Sequence, residues 1–319
     1  MNSPKLVTVF GGSGFVGRHV VAALAKRGYR VRVAVRRPDL AGHLQPLGNA
    51  GQIQAVQANL RFRDSIDRAV AGADHVINLV GILYESGAQT FNAVQEFGAR
   101  AVAEAARDVG AGLTHVSAIG ADKTSMADYS KTKAGAEAAV LATMPSAVIL
   151  RPSIVFGPED NFFNQFAGLA RLMPFLPLIG GGKTKFQPVY VGDVAEAVAR
   201  SVDGLLKPGA TYELGGPDVK TFKECLELVL KLTGRKRPLI TIPFGIAKIQ
   251  GAIFGMLPKP LLTKDQVIML ERDNVVSDTA RLGGLTLEGI GISPVSAEAI
   301  LPSYLWRFRE HGQYQQPGA

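Results

Sequence analysis

Gly11, Gly14 and Gly17 recur at every third position in Gly11-Gly12-Ser13-Gly14-Phe15-Val16-Gly17, directly after the apolar run Val7-Thr8-Val9-Phe10. This order reads as a strand, a glycine turn and a helix start, the context in which such spacing holds a phosphate. A side chain at Gly11 would obstruct the tight turn, one at Gly14 would block backbone approach to a pyrophosphate, and one at Gly17 would push the helix off the strand. The helix N-terminus then offers backbone N–H groups and a partial positive charge. The expected chemistry is therefore dinucleotide binding.

Which dinucleotide is written at the end of the next strand, Val35-Arg36-Arg37-Pro38, where an NAD-selective site carries a carboxylate for the ribose 2′-hydroxyl. Guanidinium groups there favour the 2′-phosphate of NADP(H). Arg36 follows the strand directly; Arg37 either stacks over adenine or lies in solvent. Asn59-Leu60, after a third strand, falls near adenine, and Val80-Gly81, after a fourth, falls near the ribose and nicotinamide.

These residues need a parallel sheet to hold them. From Lys5 to about Val155, β-branched runs alternate with helical patterns, as crossover units require. Strands are expected at Leu6-Phe10, Arg30-Val35, Gln54-Gln57, His75-Leu79, Leu113-Ser117 and Ala147-Leu150. Helices are expected at Gly14-Arg27, Arg63-Ala71, Phe91-Val109 and Tyr129-Thr143. The fold class is α/β: a Rossmann-type doubly wound parallel sheet over residues 1–158, completed by later segments near 186–215. After Pro158, Pro- and Gly-rich stretches interrupt shorter elements, and residues 159–311 are expected to form a smaller mixed cap over the sheet's carboxyl edge. Residues 312–319 read as a disordered tail.

Composition bounds the remaining possibilities. With 47% hydrophobic and 19% charged residues over 319 positions, the chain can bury a large core. No apolar run reaches the roughly 18 residues of a membrane span, and Met1 to Phe10 lead into a strand rather than a cleavable leader. The expected location is cytoplasmic, with peripheral attachment to the inner membrane left open. The formal charge of +8 suits an anionic partner. No nucleic-acid motif or stacking platform accompanies the dispersed basic residues, so no nucleic acid is expected. Cys225, the only cysteine, stands at a core position of a helical pattern. The five histidines lack metal-ligand spacing, and no metal is expected.

Three further segments extend the pattern: Tyr129-Ser130-Lys131-Thr132-Lys133, Leu150 to Pro158, and Val189-Tyr190-Val191-Gly192-Asp193-Val194-Ala195. With the glycine turn they resemble the extended short-chain dehydrogenase/reductase family from the first strand to about Val219. The stretches Arg151 to Phe163, Gln187 to Val198 and Tyr212 to Pro217 are most similar to an atypical branch. That branch contains the NADPH-binding accessory subunit of mitochondrial complex I, the NADH:ubiquinone oxidoreductase. The resemblance implies a bound cofactor with little or no turnover, and complex I or another inner-membrane protein as partner. The absence of an Arg- and Ser-rich leader points to a bacterial relative.

The resemblance also implies a catalytic set. Tyr129 and Lys133, four apart on a helix, project from one face. The ammonium is expected to favour tyrosinate, so that Tyr129 exchanges a proton with a substrate oxygen while Lys133 holds the nicotinamide ribose. Pro152 and Ile154 belong to the segment that closes over nicotinamide. The set's Ser or Thr would stand one or two positions past Ser117, where Ala118 and Ile119 occur. Ser117 itself either bonds the backbone or faces the cofactor, and Thr124 or Ser125 could reach in from the loop. Losing an oxyanion-stabilising hydroxyl costs on the order of 10²-fold in rate, so the enzyme question stays open. Asp193 reads as a helix N-cap.

The stretch 242–257 is almost wholly apolar, with basic groups on both sides, and is either a core helix or an interface. The leading expectation is an accessory or regulatory protein with a chiefly structural cofactor. Two alternatives remain: an NADPH-dependent reductase or epimerase acting on a lipophilic small molecule such as a quinone precursor, and an NADPH redox sensor.

Overall fold

The computed structural model describes residues 4–314 apart from 88, 256–259 and 261. The chain forms two compact units. The first comprises Met1–Pro152, Gly192–Glu213 and Asp278–Ile292; the second comprises Ser153–Val191, Leu214–Ser277 and Ser293–Ala319.

Six parallel strands form most of the first unit's sheet: β1 (Leu6–Phe10), β2 (Arg30–Val35), β3 (Ile53–Gln57), β4 (His75–Asn78), β5 (Gly112–Val116) and β6 (Val148–Pro152). The sheet has seven strands in the order Thr211–Leu214, β6, β5, β4, β1, β2, β3. β1 is central, with Val9 level with Val33 on one side and Ile77 on the other. All five of its residues are buried, as a strand covered on both faces requires. The strand order reverses between β1 and β4, which makes their carboxyl ends the topological switch point where such sheets accept ligands.

Crossover helices α1 (Phe15–Lys26), α2 (Arg63–Val70), α3 (Gly98–Asp108) and α4 (Asp128–Thr143) connect the strands. α3 and α4 pack closely because their inner positions are mostly alanine, including Ala99, Ala103, Ala106 and Ala136, all essentially inaccessible. The single helix expected over Phe91-Val109 is instead a π-helical turn, Asn92–Phe97, followed by α3. The apolar periodicity is the same for both, which is why the sequence pattern does not separate them.

In the second unit, the helices Phe163–Leu172 and Phe222–Thr233 share an aromatic cluster. Phe166 and Phe222 lie 5.4 Å apart by ring centroids, and Phe162 touches both. Thr221 and Glu224 form a capping box at the start of the second helix, and Gly234 ends it in the left-handed conformation. Cys225 is buried against this core, as the helical pattern indicates, and burial pushes its thiol up to about 12. Leu176–Ile179 pairs in parallel with Leu239–Ile242, which leads into the helix Phe244–Phe254. Asp193 lies inside the first turn of Val191–Val202 rather than ahead of it as an N-cap. Gly312–Tyr314 forms a 3-10 turn, and the remainder of the expected tail lies outside the described residues.

Candidate functional site

At the switch point a cavity of about 420 Å³ opens above β1, β2, β3 and β4. Its floor is the glycine turn. Gly11 has φ +79°, a conformation that favours glycine, and its carbonyl accepts from the Gly14 amide at 3.0 Å. Gly17 is required by contact, since a Cβ there would stand 2.3 Å from the Gly11 oxygen. Gly14 precedes α1 without a side-chain cap, so the first-turn amides have no side chain to satisfy them. Ser13, Gly14, Phe15, Val16 and Gly17 line the cavity at this end. Gly12 does not: it lies behind the turn, where a Cβ would come within 2.7 Å of Val33. Its absent side chain therefore serves packing.

Of the two arginines after β2, Arg36 lines the cavity and Arg37 does not. Arg37 is bound through Nη2 and Nε to Asp39, at 2.7 and 3.0 Å, and its side chain is 68% exposed. A second lining arginine, Arg61, is not distinguished in the sequence from other surface arginines; its guanidinium lies over the Phe62 ring, 5.7 Å from the centroid. The Arg61 amide donates to Asn59 Oδ1 at 3.2 Å, which fixes the turn after β3 and brings Asn59, Leu60 and Arg61 to one wall. Val80, Gly81, Ile82 and Gln89 form the opposite wall. No carboxylate occurs among the described lining residues.

Lys133 adjoins this wall, because a Cβ on Gly81 would stand 3.2 Å from Lys133 Nζ. The ammonium donates to the Val116 carbonyl at 3.3 Å, and burial pushes it down to about 8, opposed by the charge of Glu137 one turn along α4. Glu137 is held by Arg151 through two hydrogen bonds of 2.9 and 2.5 Å. Tyr129 stands one turn before Lys133, edge-on to Phe91 with ring centroids 6.0 Å apart. Burial pushes its phenol up to about 12, against the expectation of tyrosinate. Removal from water outweighs any help from Lys133, so the phenol keeps its proton near neutral pH.

Ser117 follows β5, donates its amide to Leu150 at 2.7 Å, and buries an Oγ with no partner among the described residues. Its hydroxyl bonds no backbone group among the described residues, and Ser117 is not among the residues that line the cavity. Ala118 and Ile119 place no hydroxyl beyond it. Thr124 and Ser125 do not substitute: Thr124 Oγ1 donates to Asp122 and Ser125 Oγ accepts from the Ala127 amide. Pro152 ends β6 and accepts from Ile119, while Ile154, in the second unit, accepts from Val189; neither lines the cavity. His115 is buried with neither ring nitrogen hydrogen-bonded among the described residues. Burial, then the charge of Lys133, holds it down to about 3, so the ring is neutral. No cluster of metal-binding side chains occurs among the described residues.

These features fit a dinucleotide: an uncapped helix start, a turn that only glycine can form, and a wall with arginines and no carboxylate. The comparisons agree with that architecture. Residues 7–215 match the NAD dependent epimerase/dehydratase family, and the chain belongs to it. The chain is 37% identical, over 96% of its length and 79% of the relative's, to the mitochondrial NADH dehydrogenase [ubiquinone] 1 alpha subcomplex subunit 9 of Arabidopsis thaliana. It is 36% identical to the ceramide reductase of Caulobacter vibrioides, over 75% of this chain and 74% of that one. In fold it is similar to a dTDP-glucose 4,6-dehydratase of Streptomyces venezuelae solved with NAD and TYD. The TM-score is 0.72 at 20% identity, over 98% and 99% of the two chains.

Proposed function

We propose that this chain binds NADP(H) as a chiefly structural or regulatory cofactor and serves as an accessory protein of respiratory complex I, with weak or no turnover. The observation that carries the cofactor choice is the pair Arg36 and Arg61 on a wall without carboxylates. A 2′-phosphate finds two cations there, and nothing on the wall repels it. The missing hydroxyls at Ala118 and Ile119 favour binding over turnover, since the charge on a reacting oxygen lacks one stabilising donor. A ligand bound only by the folded state stabilises it by about 4 kcal/mol at a thousand times its dissociation constant, sufficient reason to keep a cofactor that does not react. The resemblance to a NADH dehydrogenase [ubiquinone] subunit over most of the chain supports the partner.

Two measurements test the reading. Small molecules released from protein purified without added nucleotide, identified by mass spectrometry, should be NADP⁺ or NADPH. Affinity isolation from native membranes should recover complex I subunits; recovery of the protein alone, with intact complex I elsewhere in the gradient, refutes the partner.

A second reading, reduction of a lipophilic carbonyl compound, is favoured by the protonated Tyr129 phenol and by Lys133 at the Gly81 wall. The similarity to a ceramide reductase supports it. Bound NADPH would supply the hydride; Tyr129 would donate its proton to the carbonyl oxygen, and Lys133 would orient the ribose by hydrogen bonds. NADPH oxidation with long-chain ketones that is lost in Tyr129→Phe would place this reading first.

A further inference from the structure

Two buried side chains of opposite charge stand one turn apart on α4 and do not pair. Lys133 and Glu137 project from one face of the helix, yet each hydrogen-bonds to a different partner. In an interior shielded from water the attraction between such groups is strong, and a buried ammonium without a carboxylate is costly. The arrangement therefore needs a cause.

The cause is Arg151, in β6. Its Nε donates to Glu137 Oε1 at 2.9 Å and its Nη2 to Oε2 at 2.5 Å, so one planar fork takes both carboxylate oxygens. An ammonium offers no such fit and loses the competition. Arg151 is held in turn by Glu213, in the strand Thr211–Leu214, whose Oε1 stands 3.6 Å from its Nη1. Glu137 is thereby committed to the sheet. Lys133 keeps one partner, the Val116 carbonyl, and two of its three ammonium protons have none among the described residues. Its Nζ adjoins the Gly81 wall of the nucleotide cavity. The other titratable groups near it, His115 on β5 and Tyr129 on α4, are both neutral near pH 7 and do not replace the missing carboxylate.

We propose that Arg151 is a positioning residue for the nucleotide site: by engaging both oxygens of Glu137 it leaves Lys133 unpaired, with two ammonium protons free for the hydroxyls of a nicotinamide ribose. The inference rests on the nucleotide-binding reading and adds to it a residue that does not line the cavity. An ion pair that only fastened α4 to β6 would have no effect on the Lys133 ammonium.

Two measurements on the full chain decide the matter. The first needs no nucleotide: the Lys133 ammonium is titrated by NMR in lysine-labelled apo-protein, its signal assigned by its loss in Lys133→Met. In the wild type it should titrate at about 8. In Arg151→Met the released Glu137 should pair with it and carry the titration up to the ordinary lysine value of about 10.5 or beyond. In Arg151→Met with Glu137→Leu no carboxylate remains to capture it, and the titration should return to about 8 or below. The second is calorimetric titration with NADPH. Arg151→Met should bind about tenfold more weakly, through loss of a hydrogen bond from the ammonium, and the double variant should recover to within about twofold of the wild type. Should Arg151→Met fail to fold, Arg151→Lys, which keeps the charge without the fork, should show the same upward titration and a loss of about threefold. The inference is overturned by a Lys133 titration that does not move in the Arg151 variants, by unchanged NADPH affinity in them, or by a folded double variant that binds as weakly as Arg151→Met. A wild type that binds no nucleotide refutes the cofactor reading, and the apo-protein titration then still shows whether Arg151 keeps Glu137 from Lys133.

Discussion

Replacing both Arg36 and Arg61 by alanine should remove most of the discrimination between NADPH and NADH. A hydrogen bond to a charged group contributes about 1.5–3 kcal/mol when shielded from water. Both guanidiniums belong to exposed residues on the cavity wall, so solvent reduces each contact to about 1 kcal/mol. The two together give about 2 kcal/mol, or roughly 30-fold in affinity. We predict that the wild type prefers NADPH by at least that factor and that each single variant loses about fivefold for NADPH. Affinity for NADH should change by less than about twofold, since NADH has no 2′-phosphate to lose. Arg37→Ala should leave the preference in place, because its guanidinium is committed to Asp39. Calorimetric titration of apo-protein with both nucleotides reads these values directly, and the preference should shrink between about 0.05 and 0.5 M salt. Equal wild-type affinities, a double variant with undiminished preference, or an Arg37→Ala loss as large as that of the double variant would each refute the assignment.

Gly17→Ala should destabilise the apo-protein by about 3 kcal/mol and abolish nucleotide binding, because its Cβ would meet the Gly11 carbonyl at 2.3 Å; a normal melting temperature with retained binding would sink the account of the turn. Lys133, pushed down to about 8 in the folded chain, binds fewer protons there than when unfolded. Its contribution to stability should therefore rise from about pH 8 toward its unfolded pKa near 10.5, and Lys133→Met should remove that rise in a comparison of melting temperature against pH. Tyr129, pushed up to about 12, works in the opposite direction above its unfolded pKa near 10, and spectrophotometric titration should show no tyrosinate from it at pH 9. Arg151→Met leaves the Glu137 carboxylate, 8% exposed, without its two hydrogen bonds, and should cost about 3 kcal/mol by denaturant unfolding; adding Glu137→Leu should recover much of the loss.

The Rossmann half was legible because its signals are local. Strand, glycine turn and helix follow one another without a gap from Leu6 to Lys26, and the six parallel strands lie within a residue or two of the apolar runs that announce them. What depends on three-dimensional neighbours was not legible. The sequence offered two adjacent arginines but not the ion pair with Asp39 that occupies one of them. Arg61 reaches the cavity only through a turn fixed by Asn59, and no spacing rule marks it. Tyrosinate at position 129 was inferred from a neighbouring ammonium, whereas the depth of burial, which no residue spacing reports, sets the direction. In the segment from residue 242 onward, hydrophobic composition could not show that the small residues would turn inward and the isoleucines outward.

Gln95, in the π-helical turn, carries a consequence for motion. Its side-chain amide donates to the Ile82 carbonyl at 2.9 Å, and its carbonyl oxygen lies 3.2 Å from Thr132 Oγ1, whose one proton is shared with the Asp128 carbonyl at 2.8 Å; the residue is 2% exposed. One inaccessible side chain thereby fastens the loop after β4 to the helix that carries Tyr129 and Lys133. Neither can shift alone without stranding a polar group away from water, a penalty of about 1–3 kcal/mol. The two segments should breathe as a single cooperative unit, exchanging their amide hydrogens at matched rates. In a Gln95→Leu chain the loop should exchange early while the helix keeps its own pace.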